Sequence, residues 1–219
     1  MKSSYRTASR MRAMAGAVLC ALTAGMAFAQ GPSEHARHLI YLPADRAEAD
    51  SDAIAKAFAD AGFQVTKLSA QDTDTLNYAR RAAREVKDLL AQGVAPEDIS
   101  VVGAGIGSRA AVLSSGMSSN RSVSYVLLGQ CDTGLKHRYR FNMSGRVLGI
   151  RDEADGSSHS CRELWRDSPQ VTAQREIVTS TGLGAALFDR PREEWLRPAL
   201  AWTTRGQVDV GAPKVSQAD

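Results

Sequence analysis

The sequence has 219 residues, of which 43% are hydrophobic and 23% are charged, and its formal net charge is +3. That length suits one domain with a sizeable core. The first 29 residues carry four positive charges and no negative one, so the remaining 190 residues have a net charge near −1. With this balance, nothing in the net charge argues for an electrostatic nucleic-acid partner, which would need a basic face on the folded domain.

The N-terminal segment 1–29 has the three parts of a secretory signal peptide. Its apolar run, 14–28, ends in the small-x-small pattern Ala27-Phe28-Ala29 just before Gln30. The basic residues that precede the run are Lys2, Arg6, Arg10 and Arg12. The run is too short and too rich in Ala and Gly for a membrane span, although an uncleaved anchor helix is the alternative. The sequence therefore predicts a secreted or periplasmic protein with no membrane span after cleavage.

Short apolar runs alternate with helical patterns along the rest of the chain. Strands are predicted over 38–42, 63–68, 99–102, 123–128, 147–150 and about 174–178. Helices are predicted over 46–61, 73–92, 107–117, about 160–167 and 192–203. Several strands lack polar alternation, which indicates a mainly parallel sheet covered on both faces. We therefore expect a three-layer α/β sandwich, with a single domain over 30–204 and a disordered tail over 205–219.

Two cysteines, Cys131 and Cys161, remain after the leader is removed, because Cys20 lies inside it. An even number of cysteines in an oxidising compartment predicts a disulfide between them, and two buried free thiols are the alternative. The closed loop of about thirty residues would stabilise the fold by about 3–4 kcal/mol in the chain-entropy model.

The most informative local feature is a Gly-rich turn that follows the strand predicted at 99–102. One chemistry that places glycines there is dinucleotide binding, through the pattern G-x-G-x-x-G. Gly103 and Gly105 match this pattern, but its last position is Ser108. The acidic residue expected about twenty positions later would fall near Asn120-Arg121.

The other chemistry is the nucleophile elbow G-x-S-x-G, a sharp strand-to-helix turn with a glycine on either side of the nucleophile. Gly103 and Gly107 fill the two flanking positions with the correct spacing. The central position, however, is Gly105, so the pattern predicts the turn without its nucleophile.

From about 38 to 203 the sequence resembles the α/β-hydrolase family, in particular small bacterial members. The resemblance depends on three segments in the order in which that family places its nucleophile, acid and histidine: 96–107, 145–155 and 181–195. It implies the three-layer fold already expected. It also implies a catalytic triad assembled from the three segments.

In that resemblance Gly105 stands at the nucleophile position and Ala185 at the histidine position, directly after Gly184. Asp155 is the first candidate for the acid and Asp152 the second. Glycine has no nucleophile and alanine cannot transfer a proton, so two of the three positions have lost their chemistry. Pro43 also departs from the family, which commonly has a His-Gly pair after the first strand.

Other residues could substitute for the missing groups. Ser108, in the first helical turn after the elbow, is an alternative nucleophile, although a serine there more often forms a local hydrogen bond. His159 follows Asp155 by four residues, within a polar loop that is favoured as a simple helix approach with Ser160 as N-cap. A lysine- and arginine-rich stretch around His137 is favoured as a solvated loop.

No histidine, cysteine or acidic cluster has metal-site spacing, and His35 and His38 do not suggest ligands, so we expect neither a metal nor another cofactor. The three tryptophans lie on predicted helices and are expected to pack in the core: Trp165, Trp195 and Trp202.

The sequence thus predicts a secreted α/β-hydrolase-fold protein that has lost catalysis and binds an unknown small molecule or protein. Two alternatives stay open. One is a divergent esterase-like serine hydrolase that uses Ser108 or His159, and the other is a dinucleotide-binding protein.

Overall fold

The computed structural model describes residues 36–44, 48–70, 74–157 and 159–205. These residues belong to one compact unit, His35–Asp219. The predicted signal peptide, His35 and the predicted tail beyond Arg205 lie outside the described residues. Within the described ranges, no helix has both the length and the apolar character needed to cross a bilayer.

Six strands form one sheet in the order β2-β1-β3-β4-β5-β6, and every neighbouring pair is parallel. The strands are β1 (Arg37–Leu42), β2 (Phe63–Lys67), β3 (Ile99–Ala104), β4 (Ser124–Leu128), β5 (Ser144–Asp152) and β6 (Gln170–Thr179). Because all strands run the same way, their carboxyl ends meet at one edge of the sheet. The loops that follow β3, β5 and β6 therefore lie along that same edge.

The sheet is covered on both faces, and the alternation of side chains along each strand divides the core in two. On β1, for example, Leu39 and Tyr41 belong to one half, whereas Ile40 and Leu42 belong to the other. The central strands β3 and β4 are buried at every position because they have strand neighbours on both sides and helices above and below. This burial explains why their sequences lack polar alternation.

Six helices form the outer layers: α1 (Glu48–Asp60), α2 (Thr75–Ala91), α3 (Ile106–Ser118), α4 (Gly134–Arg138), α5 (Arg162–Trp165) and α6 (Glu193–Thr203). Helices α1 and α6 pack their buried side chains on one face of the sheet, and α2, α3, α4 and α5 pack theirs on the other. The observed fold is therefore the predicted α/β sandwich, with a sheet that is entirely parallel.

Helix α2 shows how the local sequence sets an element. Asp74 caps its first turn, since the Asp74 carboxylate accepts a hydrogen bond from the Leu76 N–H at 3.0 Å. One stripe of the helix is buried against α3 and the sheet: Tyr78, Ala79, Ala82, Ala83, Val86 and Leu89. The chain leaves the helix at Gly93, whose φ of 86° is readily adopted by glycine.

Most predicted elements are present within a few residues of their expected ends, and the exceptions have physical causes. Strand β6 begins at Gln170 instead of near 174, because this edge strand is partly exposed and its first residues carry no apolar run. Strand β5 begins at Ser144, three residues before the predicted start. The stretch around His137 was expected to be a loop, but it forms the short helix α4, with the Gly134 N–H bound to Asp132.

Candidate functional site

The Gly-rich turn joins β3 to α3 and has the backbone of a sharp elbow. Gly105, at its centre, has φ 53° and ψ −118°, a positive φ that L-residues rarely adopt. The Gly105 N–H donates to the Leu128 carbonyl on β4 at 3.2 Å, and the Gly105 carbonyl accepts from the Ser108 N–H at 3.0 Å. The turn is therefore tied both to the neighbouring strand and to the first turn of α3.

Close packing explains why the elbow has glycine on both sides of its centre. A Cβ atom at Gly103 would overlap the carbonyl of Gly107, and one at Gly107 would overlap the carbonyl of Leu42 on β1. Both obstacles are backbone atoms, which cannot move aside as the end of a flexible side chain can. The two flanking glycines are thus required by the fold itself, whatever residue stands between them.

The centre of the elbow carries no reactive group, because Gly105 has no side chain. A Cβ atom built at Gly105 would lie 3.0 Å from the Cβ of Ala44, in the segment that follows β1. Beside this point is a cavity of about 10 Å³, room for about one water molecule. Its lining comes from β1, α1, the end of β3 and the segment before α6: Tyr41, Pro43, Ala44, Asp50, Ser51, Ile54, Ala104, Phe188 and Asp189.

Ser108, the alternative nucleophile, is fully buried and its hydroxyl is engaged in structure. Its Oγ lies 2.7 Å from the Gly103 carbonyl and 2.9 Å from the Leu128 carbonyl, and it accepts a hydrogen bond from the Leu128 N–H at 3.0 Å. These contacts fasten α3 to β3 and β4. They leave the oxygen without a free approach for an acyl carbon, which favours a structural role for this serine.

Asp152, the second acid candidate, ends β5 and has no solvent exposure. Its Oδ2 accepts hydrogen bonds from the Thr179 hydroxyl (3.0 Å), the Thr181 hydroxyl (2.7 Å) and the Thr181 N–H (2.8 Å). Its Oδ1 accepts from the Ala154 and Gly184 N–H groups at 3.1 and 3.2 Å. Burial alone raises the pKa of Asp152, but these hydrogen bonds outweigh it and lower the pKa to about 2.

Asp155, the first acid candidate, is also buried, with 7% of its surface exposed, but its two oxygens differ. Oδ1 accepts hydrogen bonds from the Ser157 N–H at 3.1 Å and the Ser157 hydroxyl at 2.6 Å. Oδ2 is buried and accepts no hydrogen bond from the residues that the structure describes. Asp152 is thus saturated by its own loops, whereas Asp155 has one carboxylate oxygen unused.

The predicted histidine position, Ala185, lies in the 3₁₀ turn Gly184–Phe188 after β6. Gly184 has φ 56°, and a Cβ atom there would lie 3.5 Å from the Cα of Asp155. The structure thus brings Ala185 and the acid candidate Asp155 into adjacent segments. Gly105 lies on the same edge of the sheet, two strands away from β5.

His159 is exposed, and within the described part of the chain no hydrogen bond or ion pair joins it to Asp155.

Trp165 and Trp195 are buried as expected. Trp202 is only partly buried, and the guanidinium carbon of Arg146 lies 4.7 Å from the centroid of the Trp202 ring. Among the described residues, no group of three or more His, Cys, Asp or Glu side chains could hold a metal ion.

Cys131 and Cys161 form a disulfide between the loops that follow β4 and β5, with their Cα atoms 4.9 Å apart. Both residues are buried. A Cβ atom at Gly149 would overlap the sulfur of Cys161, so this glycine of β5 leaves the space that the bridge occupies.

Sequence reasoning missed Glu176, which holds the Cys161 loop onto β6. Its side chain is 6% exposed, and its carboxylate lies 3.4 Å from both Arg151 Nε and Arg162 Nε. It also accepts hydrogen bonds from the Cys161 N–H at 2.8 Å and the Ser160 hydroxyl at 2.9 Å. The sequence did offer one sign of this buried charge, because Glu176 stands next to the apolar pair Ile177-Val178 within a predicted strand.

A larger opening of about 560 Å³ lies beside Glu176, between α5 and β6. None of the residues predicted for the site lines it. Its lining is mostly charged: Arg162, Trp165, Arg166, Gln174, Arg175 and Glu176.

Comparison of the fold with solved structures identifies its class. The crystal structure of Arabidopsis thaliana SOBER1 matches with a TM-score of 0.56 at 10% identity, covering 78% of this chain and 98% of that one. A putative dienelactone hydrolase from Klebsiella pneumoniae matches with a TM-score of 0.57 at 12% identity, over 80% and 90% of the two chains. MGS-M1, an alpha/beta hydrolase enzyme from a Medee basin deep-sea metagenome library, matches with a TM-score of 0.54 at 12% identity, over 78% and 84%.

The chain therefore has the α/β-hydrolase fold, which confirms the predicted resemblance at the level of the fold. No protein-family model matches the sequence, and no curated protein matches it.

Proposed function

We propose that this protein is an exported member of the α/β-hydrolase fold that binds a small molecule or a protein without hydrolysing it. The observation that carries the proposal is the elbow at Gly105. Its backbone and its flanking glycines have the form that presents a nucleophile, yet its central residue has no side chain. A covalent acyl intermediate at this position has no atom on which to form.

The histidine position supports the same proposal. Ala185 stands at the proposed histidine position, in the turn whose Gly184 packs against Asp155, and its methyl group can neither accept nor return a proton. The alternative nucleophile Ser108 is buried with its hydroxyl engaged. The alternative base His159 is exposed, and no contact with Asp155 is found in the described part of the chain.

Export is proposed from the signal-like segment 1–29 and is consistent with the disulfide. A bridge between Cys131 and Cys161 persists in an oxidising compartment, such as the bacterial periplasm or the cell exterior. The protein is expected to meet its ligand there.

The experiment that tests the loss of catalysis compares the parent protein with a restored variant on short-chain acyl esters. The parent should show no turnover above buffer and no labelling by a fluorophosphonate. The double variant Gly105→Ser, Ala185→His should gain fluorophosphonate labelling at position 105, although the close contact of a Cβ atom there with Ala44 will limit its efficiency. Clean labelling of one serine in the parent would overturn the proposal.

The two alternative functions predict different outcomes. A divergent esterase would hydrolyse esters as the parent and lose turnover in Ser108→Ala or His159→Ala. A dinucleotide-binding protein would be stabilised by the cofactor in proportion to its affinity, so its melting temperature would rise with added dinucleotide. We expect neither effect.

A further inference from the structure

We propose that the opening between α5 and β6 is a binding site for a small molecule that carries two or more oxyanion groups, either carboxylates or phosphates. The volume of the opening, about 560 Å³, lies within the range of about 300 to 1,000 Å³ that is common for small-molecule sites. None of the predicted triad positions lines the opening. The inference therefore goes beyond the proposed function and does not depend on the loss of catalysis.

The opening results from the short helix in the connection between β5 and β6. A crossover between parallel strands usually contains a longer helix that covers the sheet. Here β5 ends at Asp152 and β6 begins at Gln170, but the intervening helix, Arg162–Trp165, has only four residues. The edge strand β6 is therefore partly uncovered on the side of α5.

The floor of the opening is polar. Gln174 and Glu176 are two positions apart on β6, so both side chains lie on the same side of the sheet. This is the side of α5, because Glu176 is in register with Gly149, where a built Cβ atom would meet Cys161 and Trp165. An amide and a carboxylate thus occupy positions at which a fully covered parallel strand would have apolar side chains.

The charge of the lining residues is mainly positive. Three arginines line the opening: Arg162, Arg166 and Arg175. Among the described residues that line it, the one acid is Glu176, whose carboxylate already accepts hydrogen bonds from the Cys161 N–H and the Ser160 hydroxyl. The carboxylate therefore neutralises the three guanidinium groups only in part. A cleft with an excess of one charge raises the local concentration of ligands of the opposite charge.

The three guanidinium groups are accessible to a ligand. Arg175 forms no ion pair within the described ranges. Arg162 approaches Glu176 through its Nε atom at 3.4 Å, and 76% of the Arg162 side chain is exposed. Arg166 pairs with Glu163, but both side chains are largely exposed, so an incoming anion can compete for this arginine.

The arrangement of the arginines indicates the chemistry of the ligand. A guanidinium group offers two parallel N–H donors, which match the two oxygens of a carboxylate or a phosphate. Arg162 and Arg166 belong to α5 and its C-cap, whereas Arg175 belongs to β6. A ligand that engages both sides of the opening therefore needs at least two oxyanion groups.

The test is isothermal titration calorimetry of the purified protein with citrate and with pyrophosphate, at an ionic strength kept constant with sodium chloride. We expect at least one probe to bind at one site per chain, and the probe that binds more tightly identifies carboxylate or phosphate as the preferred group. Acetate, which has a single carboxylate, should bind at least about tenfold more weakly. Binding of neither citrate nor pyrophosphate would overturn the inference.

A pair of arginine variants locates the site. Arg175→Gln should weaken binding of the preferred probe by about tenfold, because it removes one charge-assisted contact and breaks no ion pair of the described structure. Arg84→Gln is the matched control, since Arg84 is exposed on α2 and does not line the opening. This control should bind as tightly as the parent. Equal losses in the two variants would show a response to net charge alone and would overturn the inference.

A second pair of variants is expected to change the affinity in the opposite direction. Glu163→Gln removes the acid that competes for Arg166, so binding should become about threefold tighter. Asp88→Asn removes the same charge from the exposed face of α2 and should leave the affinity unchanged. Equal affinities in these two variants would overturn the assignment of Arg166 to the site. Neither pair depends on ester turnover, which tests the proposed function.

Discussion

At the scale of single residues, the elbow requires glycine at two positions because no Cβ atom fits there. A Cβ atom at Gly103 or at Gly107 would overlap a backbone carbonyl, and this restriction holds although the central residue has no reactive group. The flanking glycines are therefore required by packing. Retention of the G-x-G-x-G pattern is accordingly evidence for the turn and not for an enzyme.

Replacing Gly107 by alanine should destabilise the protein strongly, because its Cβ would overlap the Leu42 carbonyl and force β1 and α3 apart. We expect a loss of about 3 kcal/mol or more in the free energy of unfolding, measured by urea denaturation. Gly156→Ala is the matched control, since nothing lies within 4 Å of the Cβ built there. Equal stabilities of the two variants would contradict the steric explanation.

Asp152 makes stability depend on pH in the acid range. Its pKa is lowered to about 2 in the folded protein, below its ordinary value of 3.8. The carboxylate therefore stabilises the fold above pH 4, and this contribution, about 2 kcal/mol, disappears as the pH falls through 2. Asp152→Asn should remove the contribution at neutral pH and flatten the curve of unfolding free energy against pH below 4. If the unfolding free energy of this variant still falls below pH 4 as steeply as that of the parent, groups other than Asp152 cause the loss of stability in acid.

At the scale of elements, the loops after β4 and β5 are joined by the disulfide, and Glu176 on β6 fixes the second of them. The carboxylate of Glu176 binds the Cys161 N–H and two guanidinium groups while remaining almost fully buried. The last three strands are thus connected at their carboxyl ends by covalent and ionic contacts. These contacts hold the segments from which the candidate site is built.

Reduction of the Cys131–Cys161 bridge should lower the unfolding free energy by about 3–4 kcal/mol, because it frees a loop with a sequence separation of 30 residues in the unfolded chain. The measurement is urea denaturation with and without a reductant. A Cys131→Ala, Cys161→Ala variant should be equally destabilised and insensitive to the reductant. Sensitivity of that variant would mean that the reductant acts elsewhere.

Glu176→Gln should destabilise the protein more than the loss of a surface ion pair, which is typically worth about 1 kcal/mol or less. The reason is that Arg151, with about a quarter of its side chain exposed, would lose its carboxylate partner while remaining partly buried. We expect a loss of about 2 kcal/mol at neutral pH. Glu163→Gln, which removes an exposed pair with Arg166, should change stability by less than about 0.5 kcal/mol.

At the scale of the whole molecule, the parallel sheet collects the three predicted triad positions along one edge. Residues that are 80 positions apart in sequence, Gly105 and Ala185, follow strands of the same sheet, and Asp155 follows the strand between β4 and β6. The proposed function depends on this arrangement. In open parallel sheets, ligands generally bind outside the carboxyl ends of the strands.

Export should remove the first 29 residues. When the full chain is expressed in a bacterium with a periplasm, the protein in that compartment should begin at Gln30 and contain no free thiol. Mass spectrometry with and without thiol alkylation measures both properties. A variant with Ala27→Leu and Ala29→Leu should retain the leader, because the small residues needed for cleavage are gone. Accumulation of the unprocessed parent in the cytoplasm would contradict export.

The sequence by itself determined the order of the six strands and of every described α-helix except α4, since apolar runs and helical periodicity are local properties. It also determined the elbow and the pairing candidates Cys131 and Cys161. It could not show that Asp152 is saturated while Asp155 retains a free oxygen, because most of the donors to Asp152 lie 27 to 32 residues away, at the end of β6 and on the loop after it. The same limit applied to Glu176, whose partners come from β5, α5 and the loop before α5, and to the buried hydroxyl of Ser108, which binds β3 and β4. Patterning along the chain specifies elements, but the packing of loops at the sheet edge decides which polar groups remain available for a ligand.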